Sequence, residues 1–290
     1  MASFRCAAVG SCAALIVFLC LISGGLAGCG SSGAFNLGGD KITSPAGISG
    51  NWELTLTNSG VVMFSGSPVV PMGVALTSTG GAVSGTAWVQ MAFPQICSAN
   101  GCCGGPFAEF NDSLTGTLDD KGNLTLGSAV PNGGPVFTMT AVVSGETITN
   151  GTFNLSGPCP DTGTSTGVEL SALNGTYAGT VTSKDTGRSY SLSTTLQQST
   201  TLNARGFLDV RGTATLTGYP CLTSATAATP LDLNSGFLGN QFEVTMNGAG
   251  GATLSISGTL SPDGKTIAAT YTVGGGTCHL DFGQGTLTLQ

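Results

Sequence analysis

Short runs in which every second residue is apolar, with Thr or Ser most often between, recur along most of this chain. Trp52-Glu53-Leu54-Thr55-Leu56-Thr57, Leu124-Thr125-Leu126, Phe242-Glu243-Val244-Thr245-Met246 and Leu254-Ser255-Ile256-Ser257 all follow it. A period of two places the apolar set on one face of a pleated strand and the hydroxyls on the other, where β-branched Thr is well accommodated. Turn residues interrupt the runs at short intervals, as in Asp119-Asp120-Lys121-Gly122-Asn123, Ser144-Gly145 and Ser261-Pro262-Asp263-Gly264-Lys265. No apolar stripe of period 3.6 interrupts this pattern after the first 28 residues. The chain is therefore expected to be all-β, built of antiparallel hairpins that close into barrels or pack as sandwiches. Barrels are favoured, because sequential hairpins need no long crossovers and closure removes exposed strand edges.

Composition excludes the other chains rich in small residues. Gly contributes 47 and Pro 12 of 290 residues, yet no Gly-X-Y period is present, which rules out a collagen-like rod. Hydrophobic residues make up 40% against a net charge of −7, far from the polar, highly charged composition that keeps chains unfolded.

The chain repeats itself. Gly50-Asn51-Trp52 answers Gly175-Thr176-Tyr177, Gly85-Thr86-Ala87 answers Gly212-Thr213-Ala214, and Cys97 answers Cys221. Further on, Gly145-Glu146-Thr147-Ile148 answers Gly264-Lys265-Thr266-Ile267, and Gly157-Pro158-Cys159 answers Gly276-Thr277-Cys278. The landmarks keep their order, which divides the folded part into module one at 47–170 and module two at 171–290. Each is long enough to bury a core of its own and to hold about eight strands.

Ahead of the modules, Arg5 precedes the apolar run Ala13-Ala14-Leu15-Ile16-Val17-Phe18-Leu19-Cys20-Leu21-Ile22 and the small residues Ser23-Gly24-Gly25. That run is about half the roughly 20 residues a spanning helix needs, and it reads as an export signal. The segment ends in Leu26-Ala27-Gly28-Cys29, which resembles the lipobox of bacterial lipoproteins. The resemblance implies cleavage before Cys29, a signal peptide of residues 1–28, and acylation of Cys29, with enough acyl chains to hold the protein on a membrane. Gly30 stands where lipoproteins retained in an inner membrane carry Asp, so the same resemblance implies transfer to an outer membrane, on either face. Residues 29–46, rich in Gly, Ser and Pro, read as the flexible tether. Gly50-Asn51-Trp52 and Gly175-Thr176-Tyr177 resemble the Gly-x-Trp opening of the calycin superfamily, the lipocalins and avidins. The Arg that lipocalins place late in the barrel has no counterpart after Arg211, and no binding residue is carried over.

Six Cys remain once Cys29 is set aside: Cys97, Cys102, Cys103, Cys159, Cys221 and Cys278. An even number in an exported chain suggests disulfides. Module two has only Cys221 and Cys278, and the repeat maps them on Cys97 and Cys159, so the expected pairs are Cys221–Cys278 and Cys97–Cys159. Cys102 and Cys103 are left as a vicinal disulfide, as two thiols, or as alternative partners of Cys159. No spacing here matches a zinc pattern and no His is close, so no metal is expected.

Few groups could do chemistry. His279 is the sole His, and Pro160 replaces it in module one. Asp119, Asp120 and Asp263 lie in turns, where a carboxylate caps backbone amides. Trp52 and Tyr177 suit core positions. No catalytic residue and no cofactor is assigned. Without residues 1–28 the chain keeps 7 basic residues against 15 acidic ones and no basic run, so nucleic acid is excluded as a partner. The expectation is a lipid-anchored envelope protein with a non-enzymatic binding or structural role, whose protein, glycan or small-molecule partner the sequence leaves open. Small-ligand carriage inside a calycin-like barrel and a hydrolase with an unrecognised site are the alternatives.

Overall fold

A computed structural model describes residues 47–59, 69–91, 108–128, 136–156, 161–227 and 236–290. Eight strands follow one another in the first module: β1 (Gly50–Asn58), β2 (Val69–Thr79), β3 (Ala82–Met91), β4 (Ala108–Leu118), β5 (Asn123–Ser128), β6 (Val136–Ser144), β7 (Thr147–Ser156) and β8 (Asp161–Glu169). Each pairs antiparallel with the next, and β8 returns to β1 from Trp52↔Glu169 to Asn58↔Gly163, closing a barrel. The second module runs β9 (Asn174–Ser183), β10 (Ser189–Leu202), β11 (Leu208–Thr217), β12 (Ser224–Ala227), β13 (Gly236–Leu238), β14 (Gln241–Gly248), β15 (Ala252–Leu260), β16 (Thr266–Gly275) and β17 (Asp281–Leu289). Here β17 pairs with β9, while β12 and β13 both lie between β11 and β14. One strand position of the first barrel is thus filled by two short strands in the second, and this barrel also has eight positions. The expected all-β architecture of two tandem eight-stranded barrels is what forms, rather than sandwiches.

The period-two pattern sets the two faces. In β16 Ile267, Ala269, Tyr271 and Val273 point inward and are buried, while Thr266, Ala268, Thr270 and Thr272 point out. Outward hydroxyls pair across strands, as in Thr117–Thr125 at 2.8 Å, Thr140–Thr152 at 3.0 Å and Ser257–Thr270 at 2.7 Å, a neutral surface held by cross-strand hydrogen bonds. Inside, each barrel is filled by one apolar cluster, around Trp52, Met72, Leu114 and Met139 in the first and Tyr177, Phe237, Ile256 and Tyr271 in the second. Trp52 and Tyr177, the repeat landmarks, are both 0% exposed. Each also bonds its polar atom near the start of its first strand: Trp52 Nε1–H donates to the Ile48 carbonyl at 3.0 Å, and Tyr177 O–H to the Gly264 carbonyl at 2.9 Å.

The turns follow the chemistry read from them. Asp119 Oδ1 accepts the amides of Lys121 (2.9 Å) and Asn123 (2.8 Å), and Gly122 takes φ +82°. Asp263 Oδ1 accepts from Lys265 N–H at 3.1 Å, with Gly264 at φ +72°. These contacts hold both carboxyls below their usual pKa, the Asn123 side chain acting first on Asp119 and the Ser261 hydroxyl first on Asp263.

The described residues form one compact unit, and the barrels meet in a seam inside it. Turns of the second barrel lie against the outer wall of β1 to β3. Asn51, on the outward face of β1 and only 5% exposed, donates through Nδ2 to the Gly239 carbonyl and accepts Gly239 N–H at Oδ1, both at 2.8 Å. Its side-chain amide thus pairs with the backbone as a neighbouring strand would. Thr86 O–H donates to the Gly206 carbonyl at 2.9 Å, and the Trp88 and Phe207 rings meet edge to face at 5.8 Å. A Cβ on Gly73 would fall 2.7 Å from Gly239 N, so the close approach of backbones there requires glycine.

Candidate functional site

The last strand of each barrel begins with a buried Asp on the inner face, Asp161 in β8 and Asp281 in β17. Their surroundings correspond by strand register. Gly163 pairs with Phe153 on one side and Asn58 on the other, and Gly283 pairs with Tyr271 and Ser183. The aromatic ring covers the glycine in both: a Cβ on Gly163 would lie 2.7 Å from Phe153 Cε1, and one on Gly283 would lie 2.6 Å from Tyr271 Cε1. Position by position, Phe153 stands for Tyr271, Asn58 for Ser183, and Ser165 for Gly285.

In the second barrel the carboxylate is fully engaged. Ser183 O–H donates to Asp281 Oδ1 at 2.6 Å and Tyr271 O–H to Oδ2 at 3.0 Å, while the Ser183 oxygen accepts Thr186 N–H at 3.1 Å. Burial raises the Tyr271 hydroxyl pKa, and its bond to the Asp281 carboxylate adds to the rise. Tyr219, whose ring meets Tyr190 edge to face at 4.9 Å, is pushed up to about 12 by burial and then by the Asp281 charge. A disulfide joins Cys221, two residues after Tyr219, to Cys278, three residues before Asp281, with Cα atoms 5.4 Å apart. The loops carrying this cluster are therefore tied together. His279 beside the bridge is exposed, and the Ser183 hydroxyl is committed to Asp281 instead.

The first barrel leaves the same place unfinished. Asp161 is 9% exposed, and its Oδ1 accepts the amide of Thr162 at 2.8 Å. Its Oδ2, Asn58 Nδ2 and Ser165 Oγ are buried without any hydrogen-bond partner, three of the four such side-chain atoms among the described residues. All three side chains share the inner face around Gly163: Asn58 lies opposite it, and Asp161 and Ser165 flank it along β8. Burial raises the Asp161 pKa, and the Thr162 amide partly offsets this. A buried polar atom left unpaired costs about 1–3 kcal/mol, so three on two adjacent strands mark a place where the chain alone does not complete its hydrogen bonding.

A second carboxylate stands out at the seam. Glu53 is pushed up to about 7 by burial, against the pull of Asn240 N–H, which donates to Oε2 at 3.0 Å. It lines a shallow cleft with Pro71, Gly73, Trp88, Leu238 and Gln241 whose cavity volume is about 10 Å³, room for one water at most. That is below the roughly 300 Å³ at which small-molecule pockets begin, and Glu53 is engaged in holding the barrels together.

Among the sequence-derived site residues, the structure places Cys221 and Cys278 and joins them. Cys29, Cys97, Cys102, Cys103 and Cys159 lie outside the described residues. Among the described residues no three His, Cys, Asp or Glu side chains gather as a metal site would need. Sequence reasoning did not reach Asp161, Asn58, Ser165 or their counterparts. The available signal was an Asp soon after the last Cys of each repeat, Cys159-Pro160-Asp161 and Cys278-His279-Leu280-Asp281, hidden by a one-residue difference in spacing.

No protein-family model matches the chain, and no curated protein matches it. Among solved structures, similarity extends to a candidate outer membrane protein of Bacteroides fragilis, with 11% identity over 84% of this chain and 98% of that one and a TM-score of 0.25. It extends also to kievitone hydratase of Nectria haematococca, with 8% identity over 84% of this chain and 90% of that one and a TM-score of 0.26. Superposition is loose in both cases, and neither protein's role is transferred to this chain.

Proposed function

We propose that this chain is a non-enzymatic binding protein of a bacterial envelope, held on the membrane through acylated Cys29, and that its binding module is the first barrel. One observation carries the binding assignment: of two copies with the same inner carboxylate, the second satisfies it with its own hydroxyls and the first does not. The packed apolar interiors weigh against a ligand carried in a hollow centre. The carboxylates of Asp119, Asp263 and Asp281 are occupied in structural hydrogen bonds, which supports a role without catalysis.

Native mass spectrometry of the full protein extracted from membranes tests this. The expected spectrum shows the chain starting at Cys29 with its acyl mass, together with a retained small molecule released on denaturation. A chain that stays in buffer with residues 1–28 attached overturns the anchoring, and a bare protein mass from fresh membranes overturns the binding.

A further inference from the structure

The turns that grip the first barrel, at 203–207 and 239–240, sit at one end of the second barrel's strands. The turns at 184–188, 218–223, 249–251 and 276–280 close its opposite end, about 30 Å away along the strands. On that far rim Leu280 is 70% exposed, the most of any large apolar side chain among the described residues. Phe282, on the same outer face two residues on, is 43% exposed. Thr162 holds the place of Phe282 in the first barrel, so this apolar pair belongs to one copy. Its exposure is built in. The disulfide from Cys278 to Cys221 braces the turn that carries Leu280, and the adjoining turns present Gly250, Gly251, Gly275 and Gly276, which have no side chains to cover it.

Cations flank the pair. Lys184 N–H donates to the Phe282 carbonyl at 2.9 Å, and Arg188 closes the same turn, its carbonyl accepting Ser183 N–H at 2.9 Å. Neither Lys184 nor Arg188 forms an ion pair among the described residues. Asp185, the acid of that turn, lies close enough to buried Tyr219 for its charge to act there. Two apolar side chains fall far short of the roughly 800 Å² per partner that a stable protein interface buries. A bilayer needs no such area from a protein already held on it. Residues 29–46 extend to about 60 Å at most, and a tether of that length gives an effective concentration of about millimolar order.

We propose that this rim is a second membrane contact: Leu280 and Phe282 enter the interfacial layer of the bilayer that holds Cys29, and Lys184 and Arg188 meet its anionic headgroups. This rests on the reading of Cys29 as the anchor and adds the orientation in which the second barrel stands on the membrane.

The test uses full-length protein from membranes, reconstituted in vesicles of phosphatidylethanolamine and phosphatidylglycerol. Phe282→Trp reports from the rim, with the unsubstituted protein as the blank for Trp52 and Trp88. The expected result is a blue-shifted emission quenched by phospholipids brominated on the acyl chain. Leu280→Asp, added to Phe282→Trp, should lower the ratio of docked to free rim at least about tenfold, the equivalent of one buried Leu. Exchanging phosphatidylglycerol for phosphatidylcholine should lower it about fivefold for each basic residue engaged. Both positions are exposed, so both variants keep the fold. Protein that floats with the vesicles while its Phe282→Trp emission is neither shifted nor quenched overturns the contact and leaves the anchor standing. A blue shift without quenching by brominated lipid means that protein covers the rim, and overturns it also. Quenching indifferent to both Leu280→Asp and the lipid exchange does the same. Protein that does not float overturns the anchor, and the contact falls with it.

Discussion

In the second barrel Asp281 is held from two sides by Ser183 and Tyr271, whereas Asp161 at the corresponding place in the first barrel keeps one oxygen without a protein partner. Strand register places both carboxylates two residues before a glycine that an aromatic ring covers, and among the described residues the side chains around them differ. Phe153 lacks the hydroxyl of Tyr271, and Asn58 offers a donor its neighbours do not use. The comparison separates what the fold requires from what one copy leaves available. A carboxylate at the start of the last strand is tolerated when bonded, and the unbonded one stands out against it.

Four measurements test the difference between the two barrels. Replacing Cys221 by Ser opens a bridge between residues 57 apart, and the second barrel should lose about 4 kcal/mol in denaturant unfolding. Equal loss from both barrels would show that they unfold as one and that their ends cannot be compared separately.

Next in size is the response to pH at the seam. The Glu53 pKa rises from 4.5 in the unfolded chain to about 7 in the folded one, so its contribution is fully present below pH 4.5 and is lost as pH rises through 7. The loss amounts to at most about 3 kcal/mol at 1.36 kcal/mol per pK unit. Glu53→Gln should flatten the decline between pH 5 and 8; an unchanged slope would remove Glu53 from the account.

Tyr271→Phe makes the second barrel resemble the first, removes the hydroxyl that donates to Asp281 Oδ2, and should cost about 2 kcal/mol, read as a lower melting temperature. Phe153→Tyr makes the opposite change and should raise the stability of ligand-free protein by about 1 kcal/mol. If neither variant moves stability in its stated direction, the correspondence between the two ends is formal only.

Much of the architecture was legible because it rests on local rules. Alternation in segments such as Trp52-Thr57 and Leu254-Ser257 fixed strands and faces, Asp and Gly fixed the turns at 119–123 and 261–265, and the repeat of Gly-x-Trp as Gly-x-Tyr marked both first strands. The division of one strand position into β12 and β13 was not legible, since Ser224-Ala225-Thr226-Ala227 and Gly236-Phe237-Leu238 are too short to show a period. The candidate site was hidden for another reason. Phe for Tyr reads in sequence as a conservative change, and only the pairing of β7, β8 and β1 brings the missing hydroxyl to the carboxylate that needs it. Glu53 and Asn51 looked like ordinary outward residues of a first strand, because a single strand's pattern cannot tell solvent from a neighbouring barrel.

The seam also limits how the molecule can be divided. The peptide link between the modules is only residues 170–173, and proteolysis there leaves Asn51, Thr86 and Trp88 still gripping the turns at 203–207 and 239–240. A nicked chain should therefore migrate as one particle. An excised first module would instead present to water a wall shaped to receive another backbone, a surface disposed to recruit whatever loop is at hand.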